Sequence, residues 1–161
     1  RKQSCKKSSQ ILGISSINFL DYPDMKLDTI PQLKINQSIE KEIRKIKPEI
    51  VYTTPNHDLN SDHRILHEST LVASRPQSGV KKILSYEIPG FVKKSIHPNV
   101  FENIELELTY KLKAMRSYKS EIEKFPHPRS LKAIENLSIH RGIESGLKNA
   151  EAFQLLTSIK K

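Results

Sequence analysis

The run Glu49-Ile50-Val51-Tyr52-Thr53-Thr54, followed almost at once by Asn56-His57-Asp58-Leu59-Asn60-Ser61-Asp62-His63-Arg64, constrains this chain more than any other stretch. The first part reads as a β-strand. The second packs two imidazoles, two carboxylates, two amides and a guanidinium into nine residues. A strand that feeds a short polar loop, which in turn caps a helix, is how open α/β sheets build sites at their carboxyl edges. Asn60, Ser61 and Asp62 are good N-cap residues ahead of the helical pattern Arg64 to Arg75. That pattern predicts His63 in the first turn and His67 one turn further on the same side.

Two readings of His63 follow from the residues alone. An Asp-His pair at a helix start can simply cap the helix. Alternatively, a neutral imidazole binds zinc well, and a neighbouring carboxylate can fix its tautomer. His63 and His67 have the spacing to share a metal. Arg64-Ile65-Leu66 between them, however, supply no equivalent of the glutamate in His-Glu-x-x-His. Spacing leaves both readings open.

Around this stretch the pattern predicts helices and strands in alternation. Residues 1 to 12 read as a helix stopped by Gly13, and Ile17 to Tyr22 as a short apolar strand turned by Pro23-Asp24. Asp28-Thr29-Ile30-Pro31 opens a helix through Lys47, with Ile35, Ile39, Ile43 and Ile46 near the 3.6-residue period. Pro48 ends it, and Glu49 to Thr54 is expected to be buried enough to carry Ile50 and Val51 in succession. Gln77-Ser78-Gly79 is a turn, and Val80 to Ile88 and Val100 to Ile104 are further strands, joined by a loop over 91–98. From Glu105 onward the expectation is helical. Leu108, Leu112, Met115, Tyr118 and Ile122 form one stripe, and Leu131, Ile134, Leu137 and Ile139 a second. A final helix after Asn149 carries Phe153, Leu156 and Ile159. The fold class is therefore α/β, Rossmann-like: a mostly parallel sheet flanked by helices, with a helical C-terminal third, forming a single domain over residues 1–161.

Composition narrows the function classes. At 161 residues, 36% hydrophobic and 28% charged, the chain suits one soluble globular domain with a real core. Only five glycines are present, and neither a Gly-x-Gly-x-x-Gly run nor a Walker-type loop occurs. No apolar stretch approaches the length of a membrane span. The single Cys5 excludes an internal disulfide and a cysteine-based zinc knuckle, and suits the cytoplasm. The net charge of +9 comes from 27 basic and 18 acidic residues. Its basic pairs, among them Lys6-Lys7, Lys81-Lys82, Lys93-Lys94 and Lys160-Lys161, are dispersed without interleaved aromatics. They read as solvated faces more readily than as a nucleic-acid platform.

Asp58-Leu59-Asn60-Ser61-Asp62-His63-Arg64-Ile65 resembles a signature of the PIG-L/LmbE-like de-N-acetylases, zinc hydrolases that remove acetyl groups from N-acetylglucosamine-type sugars. Further blocks resemble that family in the same order: Phe19 to Asp24 with Leu27-Asp28, Pro48 to Thr53, Ser117 to Glu121, Phe125 to Ser130, His140-Arg141-Gly142 and Ala150 to Phe153. The resemblance implies that His63 is a zinc ligand and Asp62 an orienting carboxylate. Asn60 then stands where many relatives carry a histidine for the oxyanion. Asp24, His57, Arg64, Arg129, His140, Arg141 and Glu151 are implied to shape the sugar pocket. A phosphorylated or nucleotide-linked amino sugar would use the basic excess. The family's other signature, His-Pro-Asp-Asp-x-Glu, supplies two zinc ligands and the base, and it does not occur in this sequence. The expectation is therefore an N-terminally truncated domain with an incomplete zinc site and little turnover. The alternative is a non-catalytic relic or sugar-binding module of the same fold.

Overall fold

The computed structural model describes residues 1–90 and 94–160. Part of the expected loop 91–98 and two of the basic residues noted above, Lys93 and Lys161, lie outside the described residues. The order is helix α1 (Lys2–Ile11), helix α2 (Gln32–Ile46), strand β1 (Ile50–Thr53), helix α3 (Ser61–Ala73), strands β2 (Lys82–Tyr86) and β3 (Val100–Asn103), helices α4 (Leu108–Met115) and α5 (Leu131–Ser145), and strand β4 (Ala150–Ser158). Single 3-10 turns occupy Leu27–Thr29 and Pro76–Ser78. The chain forms two compact units, one of residues 1–19 and 101–151, the other of residues 20–100 and 152–161.

The second unit carries the sheet edge that matters here. β1 and β2 are parallel, with Val51 opposite Ile83 and Thr53 opposite Ser85. Parallel neighbours need a crossover, and α3 supplies it. β2 pairs antiparallel with β4, with an irregularity at Ile83/Leu84, and the strand order is β1-β2-β4-β3. Ile43 of α2, Ala73 of α3, Val80 and Ile83 form a buried cluster, against which Ile39, Val51, Leu71 and Leu156 pack. The predicted isoleucine stripe of α2 meets that cluster through Ile39 and Ile43, while Ile46 at the helix end is exposed. Lys47 then closes α2 in a left-handed conformation, φ +52°.

Three sequence expectations fail here, each for a physical reason. Residues 17–22 form no strand: Ile17 and Leu20 are exposed, and Asp21 has φ +54°, which an extended ladder does not accept. β1 is a sheet edge rather than a doubly covered strand, so Ile50 and Tyr52 remain 43% and 50% exposed. The predicted last helix is the strand β4. Ala, Glu, Gln and Leu favour helix locally, and Phe153, Leu156 and Ile159 mimic its period. Yet β4 lies between two strands and is covered on both sides, with Ala150, Ala152 and Phe153 buried.

In the first unit, α4 stops at Met115, and tight turns at Ser117, Tyr118 and Glu121 carry the apolar stripe onward. Ser130 caps α5 through its side chain, accepting from Ala133 N–H at 3.1 Å. Gly142 admits close packing: a Cβ there would meet Leu147 O and Lys148 O at 2.6 Å. Ile104 N–H donates to Asn149 O within this unit, as Asn99 N–H does to Phe153 O within the other.

Candidate active site at the carboxyl end of β1

The polar loop leaves β1 at its carboxyl end and enters α3 as the sequence predicts. Asn60 is the N-cap, and its Oδ1 accepts from Asp62 N–H at 2.9 Å. This places the amide Nδ2 on the side away from the cap, free to donate. Asp58 is 4% exposed, and its Oδ1 accepts from Asn60 N–H at 2.8 Å. Its Oδ2 lies 2.7 Å from Nδ1 of His63. The carboxylate oxygen accepts, so the proton sits on Nδ1, and in the neutral ring the lone pair is at Nε2. The His63 side chain is about one-third exposed, so that nitrogen is not sealed inside the core.

Thr54 ties the loop to the helix from both directions. Its hydroxyl donates to His63 O at 2.6 Å, and its carbonyl accepts from Nδ1–H of the buried His67, also at 2.6 Å. His67 is thus a structural clasp between the end of β1 and α3. Arg64 grips the same loop, Nη1 donating to Asp58 O at 2.5 Å and Leu59 O at 2.8 Å. Tyr86, at the end of β2, has its phenol pushed above its ordinary pKa by burial and then by the negative charge of Asp58.

The carboxylate hydrogen-bonded to the His63 ring is Asp58, which the sequence pattern did not single out. Asp62 accepts from Leu27 N–H through Oδ1 at 3.0 Å, tying the Leu27–Thr29 turn to the start of α3. The signal for Asp58 was a carboxylate five residues before the histidine, less conspicuous than the one beside it. His57 is exposed on the same loop. Arg129, His140, Arg141 and Glu151 belong to the other unit. There, Arg129 pairs with Glu121 (2.6 Å), Glu151 with Lys111 (2.5 Å), and Arg141 with Glu144 (2.6 Å). His140 Nε2 stands 3.7 Å from the same Glu144, whose carboxyl is held below its ordinary value by Arg141.

Zinc in a catalytic site takes three protein ligands and an open position. Among the described residues no group of three His, Cys, Asp or Glu side chains is arranged to hold a metal. The Asp58–His63 pair offers one imidazole nitrogen in the carboxylate-backed form that suits a metal. These residues do not complete a zinc site.

Fold and site together define an α/β protein with a polar, histidine-centred loop at the edge of its sheet. Residues 1–74 match the model of the PIG-L family, described as GlcNAc-PI de-N-acetylase. No curated protein sequence matches the chain. Among solved structures, a conserved protein from Thermus thermophilus superposes with a TM-score of 0.76 at 20% identity, over 99% of this chain and 74% of the other. The N,N'-diacetylchitobiose deacetylase from Pyrococcus horikoshii gives 0.76 at 19%, over 97% and 62%. GalB, the 4-carboxy-2-hydroxymuconate hydratase from Pseudomonas putida, gives 0.76 at 15%, over 99% and 72%. At these identities the likeness establishes the fold. That fold carries a deacetylase in one case and a hydratase in another, so the reaction must be argued from the site.

Proposed function

We propose that the loop over residues 56–64 serves removal of the acetyl group from an N-acetylated amino sugar, and that the 161-residue chain alone has little or no turnover. The observation that carries the reading is the hydrogen bond from His63 Nδ1–H to the buried Asp58, which leaves Nε2 as the acceptor nitrogen of the neutral, partly exposed ring at the sheet's carboxyl edge. The family description and the diacetylchitobiose deacetylase of similar fold support the amide-hydrolase class.

Amide hydrolysis needs an activated water and a stabilised oxyanion. Zinc, were it bound with ligands from elsewhere, would supply the activated water, and His63 would be the residue of this loop that holds it. Asp58 fixes the His63 ring, and Asn60 Nδ2 offers a neutral donor where negative charge develops. Arg64 and Thr54 keep the loop in place. With a single open imidazole among the described residues, the base and remaining ligands are lacking, which is the reason for the low turnover. The lone cysteine accords with a cytoplasmic setting.

Titrating 15N-labelled protein with N-acetylglucosamine and with glucosamine tests the recognition. The acetylated sugar is expected to shift the His63 and Asn60 resonances, and glucosamine is not. Equal response to both would sink the amide reading. Acetate release from N-acetylglucosamine conjugates, followed with added zinc, is expected to stay near the uncatalysed rate. Brisk turnover abolished by His63→Ala would keep the deacetylase and overturn the claim of low activity.

A further inference from the structure

At the opposite end of α3 from His63, about 15 Å along the helix at 1.5 Å per residue, lies a cavity. Its volume is about 460 Å³, within the roughly 300–1,000 Å³ typical of small-molecule sites. Ile43, Val72 and Ala73 form an apolar floor, and Glu40, Arg44, Arg75, Gln77 and Ser78 complete the wall.

The polar groups of this wall are donors in excess. Glu40 is its one carboxylate, and it stands between two guanidinium groups, 3.7 Å from Arg44 and 3.6 Å from Arg75. Charge-assisted hydrogen bonds run near 2.7–2.9 Å, so neither fork is engaged by it in the two-pronged way that satisfies arginine. Arg75 directs Nε–H to Val72 O at 2.8 Å, which fixes the plane of its guanidinium and leaves its terminal nitrogens. Arg44 makes no other hydrogen bond or ion pair among the described residues, and the Gln77 side-chain amide makes none. Ser78 Oγ accepts from Val80 N–H at 3.2 Å, keeping its own hydrogen to donate. Against these stand Glu40 and the partial negative charges at the C-terminal ends of α2 and α3. Two guanidinium groups, an amide and a hydroxyl thus face a single carboxylate, so the wall offers more hydrogen-bond donors than its own acceptors take up.

We propose that this cavity binds a small molecule with an anionic headgroup, phosphate or carboxylate, on an apolar or ring-shaped body. The headgroup is gripped by Arg44 and Arg75, whose planar forks match both oxyanions, and the body rests on Ile43, Val72 and Ala73. The site is independent of the acetyl-removing loop.

Calorimetric and NMR titrations of the whole chain with phenyl phosphate, benzoate, inorganic phosphate and benzyl alcohol test this. Saturable binding of phenyl phosphate or benzoate at low salt is expected, with shifts at the Arg44 and Arg75 Nε–H groups and at Ala73. The preferred one of the two assigns the headgroup. Phosphate or benzyl alcohol alone should bind at least five-fold more weakly. Arg44→Gln with Arg75→Gln should weaken the preferred anion at least ten-fold at an unchanged melting temperature, and Arg75→Lys alone several-fold, because it keeps charge and loses the fork. Glu40→Gln should tighten binding. Failure of both aryl anions to saturate would overturn the proposal. So would undiminished affinity in the double arginine variant, or a preference for benzyl alcohol over the anions.

Discussion

Nδ1–H of His63 donates to Oδ2 of Asp58 at 2.7 Å, so a nearly buried carboxylate five residues earlier in the chain sets the direction of the ring. The same carboxylate accepts from Asn60 N–H, which joins the cap of α3 and its first-turn histidine in one unit.

Removing that carboxylate should be felt in both stability and tautomer. Asp58→Ala leaves two donors without their acceptor, each worth about 1–3 kcal/mol when buried, and the partly exposed His63 is in part rescued by solvent. A loss of about 2–4 kcal/mol in denaturant unfolding is expected on that basis. Long-range 1H–15N spectra of the imidazoles should show His63 protonated at Nδ1 in the native chain and as a tautomer mixture in the variant. A native ring protonated at Nε2 would contradict the geometry.

Much of this was legible in the sequence because it is local. The cap at Asn60, the first-turn placement of His63, the breaks at Gly13 and Pro48, and the cap at Ser130 depend on neighbours within a few residues. What failed depended on distant partners. Nothing local to Ala150–Ser158 says that it will be clasped between two strands, and nothing in Ile17 to Tyr22 says that it will lack one. The choice of Asp58 over Asp62 is of the same kind. Both carboxylates are near His63 in sequence, and only the course of the loop, held by Arg64 on the carbonyls of Asp58 and Leu59, decides which of them meets the ring.

Gly142 lies in the His140-Arg141-Gly142 block, where backbone closeness rather than chemistry demands it. An added Cβ would fall 2.6 Å from two carbonyl oxygens, Leu147 O and Lys148 O, neither of which is the end of a flexible side chain. Gly142→Ala should therefore cost roughly 2–3 kcal/mol, in the range of overpacked interiors. Unfolding in urea measures it. A neutral effect would mean that the turn after α5 yields easily.

The single-domain expectation is a proposal that calorimetry can test. The backbone passes between the two units three times, after residues 19, 100 and 151, so neither unit is a continuous piece of chain. One thermal transition, with equal calorimetric and van't Hoff enthalpies, is expected. Two separated transitions would divide the chain into two domains.

Zinc titration addresses the metal directly. A single carboxylate-backed imidazole gives up most of the affinity of a three-ligand site, because each further ligand adds to binding that is already ordered. Weak heats without a stoichiometric break are expected for the chain alone, and His63→Ala should remove what binding there is. His67 does not compensate, since its ring is buried. A sharp one-to-one transition would show ligands that the described residues do not reveal.

Alkaline pH should report on Asp58 through Tyr86. The Tyr86 phenol is raised above its ordinary value near 10 by burial first and by the charge of Asp58 second. A raised pKa means that the folded state favours the protonated phenol. The associated stability is complete below the unfolded value of about 10, and is lost as pH rises through the higher folded value. Absorbance at 295 nm should therefore show Tyr86 titrating late in the native protein, alongside Tyr118, whose phenol burial also raises. Asp58→Asn should bring the Tyr86 titration part of the way back toward the ordinary value of about 10, leaving the portion due to burial. Tyr86→Phe should flatten the corresponding part of the fall in melting temperature above roughly that pH. A Tyr86 titration indifferent to Asp58→Asn would separate the phenol from the loop, and with it the claim that the Asp58 charge is felt across this end of the sheet.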